Sequence, residues 1–226
     1  IIGRRSQEFC MTSFALIAEG ITDQVVLEYI LDGLSSGDAT TTALRPLRDA
    51  TDASRVADNE FSGWELVFEF LQSEDIIDAF DNNDFVIIQI DTDEGDHPNF
   101  GLGLNGKTII TIVEECIEKL KASLRPDFPT SELERLLFAI PVLSTECWIF
   151  SLHDTTHKHT DKTINKCENR LQRHLEKKDK NLTKEYNFYR DICRDFRKQK
   201  NIQAVAQRTP CLQHFVNQVN AACPSF

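Results

Sequence analysis

The chain has 226 residues, 41% hydrophobic and 27% charged, which suits one generous globular domain or one domain with a helical appendage. It contains no apolar run of about 18 residues, so no membrane span is expected, and the opening "IIGRRSQEFC" lacks the apolar region and cleavage site of a signal peptide. The net charge of −11 argues against a general nucleic-acid coat, but it is unevenly spread: residues 151–226 hold 15 Lys and Arg against 8 Asp and Glu, whereas residues 1–150 hold 10 against 28.

Residues 1–12, with Met11 the first and only methionine, are expected to be a leader or the margin of a longer chain. "SFALIA" (13–18) reads as a buried strand that runs into "EGITD", where Thr22 suits a helix cap and Asp23 the first turn. Val25, Val26, Tyr29 and Ile30 then follow helical spacing, and Gly33 ends the helix. "ATTTALRPL" (39–47) is a β-branched second strand stopped near Pro46, and residues 49–63 are polar and loop-like. "GWELVFEFLQS" (63–73) is an amphipathic helix with Trp64, Val67, Phe68 and Leu71 on one face. After a short helix or turn, "FVIIQI" (85–90) is the third strand, bulky and β-prone apart from Gln89. It drives straight into "DTDEGDH" (91–97) and a loop. A long helix spans "KTIITIVEECIEKLKASL", a fourth strand lies at roughly "LLFAIPV" (136–142), and "STECWIFSL" opens a helix with Ser144 or Thr145 as cap and Glu146 in its first turn. The remainder predicts three amphipathic helices, over 162–178, 183–199 and 210–222.

Strands alternating with helices imply crossover connections and a parallel sheet, and strands apolar without alternation fit a sheet covered on both faces. The expected class is therefore α/β: a parallel four-stranded sheet flanked by helices over residues 13–150, followed by a basic helical extension over 151–226. Seven cysteines, none in a CxxC pair, are expected to be free buried thiols in a reducing cytosol, and the protein is expected to be cytoplasmic.

In a parallel sheet, functional residues gather outside the carboxyl ends of the strands. Here strand one ends at Glu19 and Gly20, strand three at Asp91-Thr92-Asp93, and strand four is followed closely by Glu146. Several carboxylates on one sheet edge repel unless a cation offsets them, and oxygen-only ligands select Mg²⁺ or Mn²⁺. Metal-assisted phosphoryl transfer or phosphodiester hydrolysis is the chemistry this predicts. An EF-hand starting at Asp91 is excluded by Gly95, Asp96 and Leu102 at positions that need an acceptor, Gly and Glu. A haloacid-dehalogenase-like phosphatase is disfavoured because it would need its DxD on the first strand and Thr or Val at position 95.

"FALIAEGITD" and "FVIIQIDTD", about 70 residues apart, resemble the Toprim domain shared by topoisomerases, bacterial primases and several nuclease families. The resemblance covers about Ser13 to Phe150, and the "EGxTD" form looks most like the small Toprim nucleases of bacterial anti-phage systems and of the overcoming-lysogenization-defect type. It implies that Glu19 is a metal ligand or general acid/base at the scissile phosphate, that Asp91 and Asp93 hold a catalytic Mg²⁺ or Mn²⁺, and that Asp23 and Glu146 complete a second metal position. Helix-start chemistry is the competing reading of Asp23 and Glu146, and Glu94, Asp96 and His97 read as loop. Gly20 would let the backbone pass close to the site. No tyrosine domain of a topoisomerase and no zinc ribbon or helicase part of a primase accompanies the motifs, so the resemblance implies a nuclease acting on DNA or structured RNA such as tRNA.

"SLHDTTHKHTDK" (151–162) follows Glu146 closely. No cysteine pair or HExxH frames its histidines, so zinc is not expected. His157 and Lys158 are candidate phosphate contacts, and Lys162, Lys166, Arg170 and Arg173 recur on one helical face as a candidate phosphate-backbone rail. The same face equally suits solvent or a regulatory partner that holds a toxic nuclease inactive. The alternative function is a latent or non-catalytic Toprim module that binds a protein or nucleic acid.

Overall fold

The computed structural model describes residues 11–52, 54–55, 63–156, 158, 160 and 166–226. β1 (Thr12–Ile17), β2 (Ala39–Arg45), β3 (Phe85–Gln89) and β4 (Leu136–Ala139) form one sheet in the order β2-β1-β3-β4, every neighbouring pair parallel. The class is thus α/β with helices flanking a parallel sheet, as the alternation of elements predicts. Phe14 to Ile17 on β1 pair with Phe85 to Ile88 on β3, and all but Phe85 of these side chains are fully buried. Helices on both faces explain why these strands are apolar without alternation. Each large side chain so buried contributes roughly 1.5–3 kcal/mol. β4 stops three residues short of its expected end, because Pro141 has no N–H to extend the ladder. The outer edge of β4 is also occupied: the Gln218 side chain accepts from Phe138 N at 3.0 Å and donates to Phe138 O at 2.9 Å, blunting the edge against further pairing.

The helices are α1 (Ile21–Ser35), α2 (Trp64–Gln72), α3 (Asp75–Asp78), α4 (Ile109–Ala122), α5 (Glu146–His153), α6 (Cys167–Glu176), α7 (Tyr186–Cys193), α8 (Gln199–Ala206) and α9 (Pro210–Ala222), with 3-10 turns over Thr130–Arg135 and Arg194–Arg197. The helices beyond residue 150 share the core of the sheet domain. α1 packs against α7, α8 and the Arg194–Arg197 turn, while α9 packs against β4 and α4. Leu171, Tyr189, Phe196, Ile202 and Phe215 are fully buried there.

Three sequence expectations need correction. The helix expected over 183–199 is realised only as α7 and the Arg194–Arg197 turn, which ends at extended Lys198, and α8 beyond it was not expected. The break follows from a close approach: a Cβ on Gly33 of α1 would lie 2.0 Å from Phe196 O, so the tightened backbone is seated directly on the glycine. Thr22 does not cap α1; it lies inside the helix, and extended Gly20 is the cap residue. The cysteines are not all free: Cys147 at the start of α5 and Cys167 at the start of α6 are 4.9 Å apart at Cα and form a disulfide, because those two helices pack together. Cys116, Cys193, Cys211 and Cys223 are buried thiols outside any disulfide, as expected, and Cys10 lies outside the described residues. No helix among the described residues is long and apolar enough to cross a membrane.

Candidate functional site

The strand order decides where a site can form. From β1 the chain moves to β2 on one side, then returns to β3 and β4 on the other. In open parallel sheets a ligand crevice opens at such a switch point, outside the carboxyl ends of the strands. Glu19 and Gly20 leave β1 there, and Asp91 to Asp93 leave β3 beside them.

Glu19, Gln89 and Asp91 are joined in a ring of hydrogen bonds. Gln89, fully buried at the end of β3, accepts the Glu19 N–H at 3.0 Å and donates to Asp91 Oδ1 at 2.8 Å. Glu19 Oε2 in turn accepts the Asp91 N–H at 2.9 Å. Thr92 is turned the other way and is fully buried. Its Oγ1 accepts the Leu143 N–H at 2.9 Å, and the N–H groups of Thr92 and Asp93 both donate to Leu143 O, at 2.9 and 3.1 Å. Leu143 has φ 69°, an uncommon conformation for a residue with a side chain, stabilised here by these three bonds. The anchored threonine leaves Asp91 half-buried and Asp93 exposed at the crevice.

Gly20 has an extended backbone, so space rather than φ calls for glycine: a Cβ would stand 3.0 Å from Asp23 Oδ2. Asp23, in the first turn of α1, is 7% exposed, and its Oδ1 accepts the Thr145 hydroxyl at 2.6 Å. Thr145 thus spends its hydroxyl on Asp23 instead of capping α5. Glu146 is 1% exposed. Its Oε1 accepts from both Lys184 Nζ and the Tyr189 hydroxyl, while Oε2 is buried with no donor in hydrogen-bond geometry among the described residues.

The five carboxylates feel one another. Burial first, then the charges of Asp23, Asp93 and Glu94, push the Glu19 carboxyl up to about 7, against the pull of its bond from Asp91. Burial pushes Asp23 up to about 7 as well, with the Glu146 charge adding to it. Asp91 is held well above the ordinary carboxylate range by burial and by Asp23, Glu19, Glu146 and Asp93. Asp93 is raised by burial and by Glu94 and Glu146. Glu146 is the exception: burial acts to raise it, but the adjoining Lys184 charge and hydrogen bonds from Lys184, Ser144 and Tyr189 together outweigh burial and hold it below its usual value. The same pairing raises Lys184 against the partial desolvation of its ammonium.

Among the described residues, no three His, Cys, Asp or Glu side chains stand as a ready-made metal-ligand cluster. Glu19 Oε2 and Asp91 Oδ1 are turned into the ring described above, and Glu146 is tied to Lys184. The donor set nevertheless fits a hard divalent ion in kind: it is all carboxylate oxygen, and burial, then mutual repulsion, drives its members toward protonation.

His157 and Lys162 fall outside the described residues. Lys158 is exposed, Lys166 and Arg173 are exposed at and on α6, and Arg170 lies over the Phe150 ring at 5.4 Å. α6 buries Cys167, Leu171 and Leu175, so Arg173 lies on the opposite face while Arg170 flanks the buried stripe. Asp96 serves the loop, accepting the Leu104 N–H at 2.7 Å, and His97 packs against Trp64. His153 Nε2 is engaged with Ile192 O at 2.8 Å. Four residues of the centre were not among the sequence candidates: Gln89, Thr145, Lys184 and Tyr189. Gln89 carried a signal, as the polar interruption of an apolar strand two residues before Asp91. Lys184 and Tyr189 carried none, since they arrive from a helix pair about 40 residues further on. Comparison with protein-family models, with curated proteins and with solved structures finds no match to this chain.

Proposed function

We propose that the protein is a Mg²⁺- or Mn²⁺-dependent nuclease of Toprim type that hydrolyses phosphodiester bonds in DNA or in structured RNA such as tRNA, and that it acts in the cytoplasm as the toxic effector of a bacterial anti-phage system. One observation carries the chemistry: Glu19 at the end of β1 is hydrogen-bonded to Asp91 at the end of the neighbouring β3, at the switch point of the sheet. Glu19, Asp91 and Asp93 would hold the ion. When bound, it would neutralise phosphate charge and acidify an attacking water. Gln89 orients Asp91 from within the sheet. Lys166, Arg170 and Arg173 on α6 would track the phosphate backbone.

The test is cleavage of plasmid, single-stranded DNA and total tRNA by purified protein with Mg²⁺ or Mn²⁺, with and without EDTA. Cleavage should require the ion and vanish in Glu19→Ala and Asp91→Ala, with the far-UV spectrum unchanged. Full activity in Glu19→Ala would overturn the assignment. Failure to cut any substrate with metal bound would leave a binding module in its place.

A further inference from the structure

The resemblance to Toprim nucleases assigns Asp23 and Glu146 to a second metal position, yet Glu146 is already paired with a cation. Lys184, in the segment between α6 and α7, sends its ammonium to Glu146 Oε1, which also accepts the Tyr189 hydroxyl. The lysine side chain is 54% exposed and the Glu146 side chain 2%, so the charge is delivered from the surface to a buried acceptor. Its charge also acts on Asp23, and the charge of Glu146 reaches Asp91 and Asp93. The pair is thus part of the same electrostatic cluster as the strand-end carboxylates.

We propose that Lys184 is a built-in second cation, so that the centre takes a single divalent ion at Glu19, Asp91 and Asp93. The inference rests on the metal-centre reading above. A buried carboxylate without a counter-charge is expensive. Glu146 must therefore keep a cation, and Lys184 supplies it permanently where a two-metal site would draw one from solution. The surroundings hold the lysine in place. Its Nζ lies 3.8 Å from Glu168 Oε2, and Glu146 and Glu168 immediately flank the two cysteines of the Cys147–Cys167 disulfide. Glu146 Oε2, buried and without a donor in hydrogen-bond geometry among the described residues, remains as a ligand atom that a second ion would use once the ammonium is gone.

The experiment is a count of Mn²⁺ ions per full-length chain, by calorimetric titration checked against the electron-spin-resonance signal of free Mn²⁺. Wild type should bind one ion, Lys184→Arg one, and Lys184→Met two. Two ions in wild type, or one in a folded Lys184→Met, overturns the role of Lys184 while leaving the metal centre intact. No ion in wild type overturns the metal centre itself, and this inference with it. Should Lys184→Met not fold, Glu146→Gln decides: it should still bind one ion, and loss of that ion would make Glu146 a ligand of the occupied position and sink the proposal.

Discussion

Gln89 donates a hydrogen bond to Asp91 Oδ1 at 2.8 Å from a position buried inside the sheet. The same amide accepts the Glu19 N–H, so one side chain sets the geometry at the ends of both central strands. Gln89→Leu fills the space but leaves that N–H without its acceptor, at a cost of about 1–3 kcal/mol. It also releases Asp91. Urea unfolding with and without Mn²⁺ should show lower stability and a smaller stabilisation by the ion. If the variant keeps both at wild-type level, the amide does not organise the centre.

Without a divalent ion, stability should fall as pH rises through neutrality. Burial, with neighbouring carboxylates, raises Glu19 and Asp23 to about 7 in the folded state, from ordinary values of 4.5 and 3.8. The native state then binds more protons than the unfolded one between those values. The stability these groups contribute is full below their unfolded pKa and is lost as pH passes through about 7. His153, His174 and His214 act oppositely, since burial holds them below 6.5 and they favour folding as pH climbs to that value. Above pH 6.5 the histidines are silent, so the carboxylates set the slope. Thermal melts of EDTA-treated protein should show Tm falling from about pH 6.5 to 8, and Mg²⁺ should flatten the fall by replacing protons with a cation. A Tm that is flat or rising over this window without metal would mean that the carboxylates are not crowded as described.

Gly33 is where the C-terminal helices meet α1. An added Cβ would stand 2.0 Å from Phe196 O and 2.7 Å from Ile202 Cδ1, and the first of these is backbone that cannot rotate aside. Gly33→Ala gains helix propensity of up to about 1 kcal/mol but must separate two packed backbones. The expected result is a net loss of more than about 1 kcal/mol, with α7 and α8 the first elements to lose hydrogen-exchange protection. Wild-type stability in Gly33→Ala would show that the contact is looser than it stands here.

The Cys147–Cys167 disulfide closes a loop with a sequence separation of 20. By loop-closure entropy such a crosslink stabilises by about 3 kcal/mol. Peptide mapping under non-reducing conditions should recover the linked pair, and Cys167→Ser should lower Tm while leaving Cys116, Cys193, Cys211 and Cys223 as buried thiols. Recovery of Cys147 and Cys167 only as free thiols in protein purified under oxidising conditions would count against the crosslink.

The strands and their parallel arrangement were legible in the chain because their cause is local. Runs such as "FALIA" and "FVII" can only be buried on both faces, and the helical spacing between them leaves crossovers as the connection. Glu19, Asp91 and Asp93 were legible for the same reason: each stands immediately after such a strand, and parallel strands deliver their carboxyl ends to one edge. The helix over 210–222 matched its expected bounds, with Pro210 at its first turn.

Contacts between distant segments were not legible. The break at Lys198 depends on Gly33, the disulfide on how α5 meets α6, and the bond from Thr145 to Asp23 on two turns 122 residues apart. Nothing near Lys184 in sequence marks it as the partner of a buried glutamate. By itself the sequence determined which carboxylates sit at the edge of the sheet, because strand periodicity and polarity are properties of short segments. Only the tertiary structure decided which of them already holds a cation, because that depends on where a segment from the far end of the chain comes to rest.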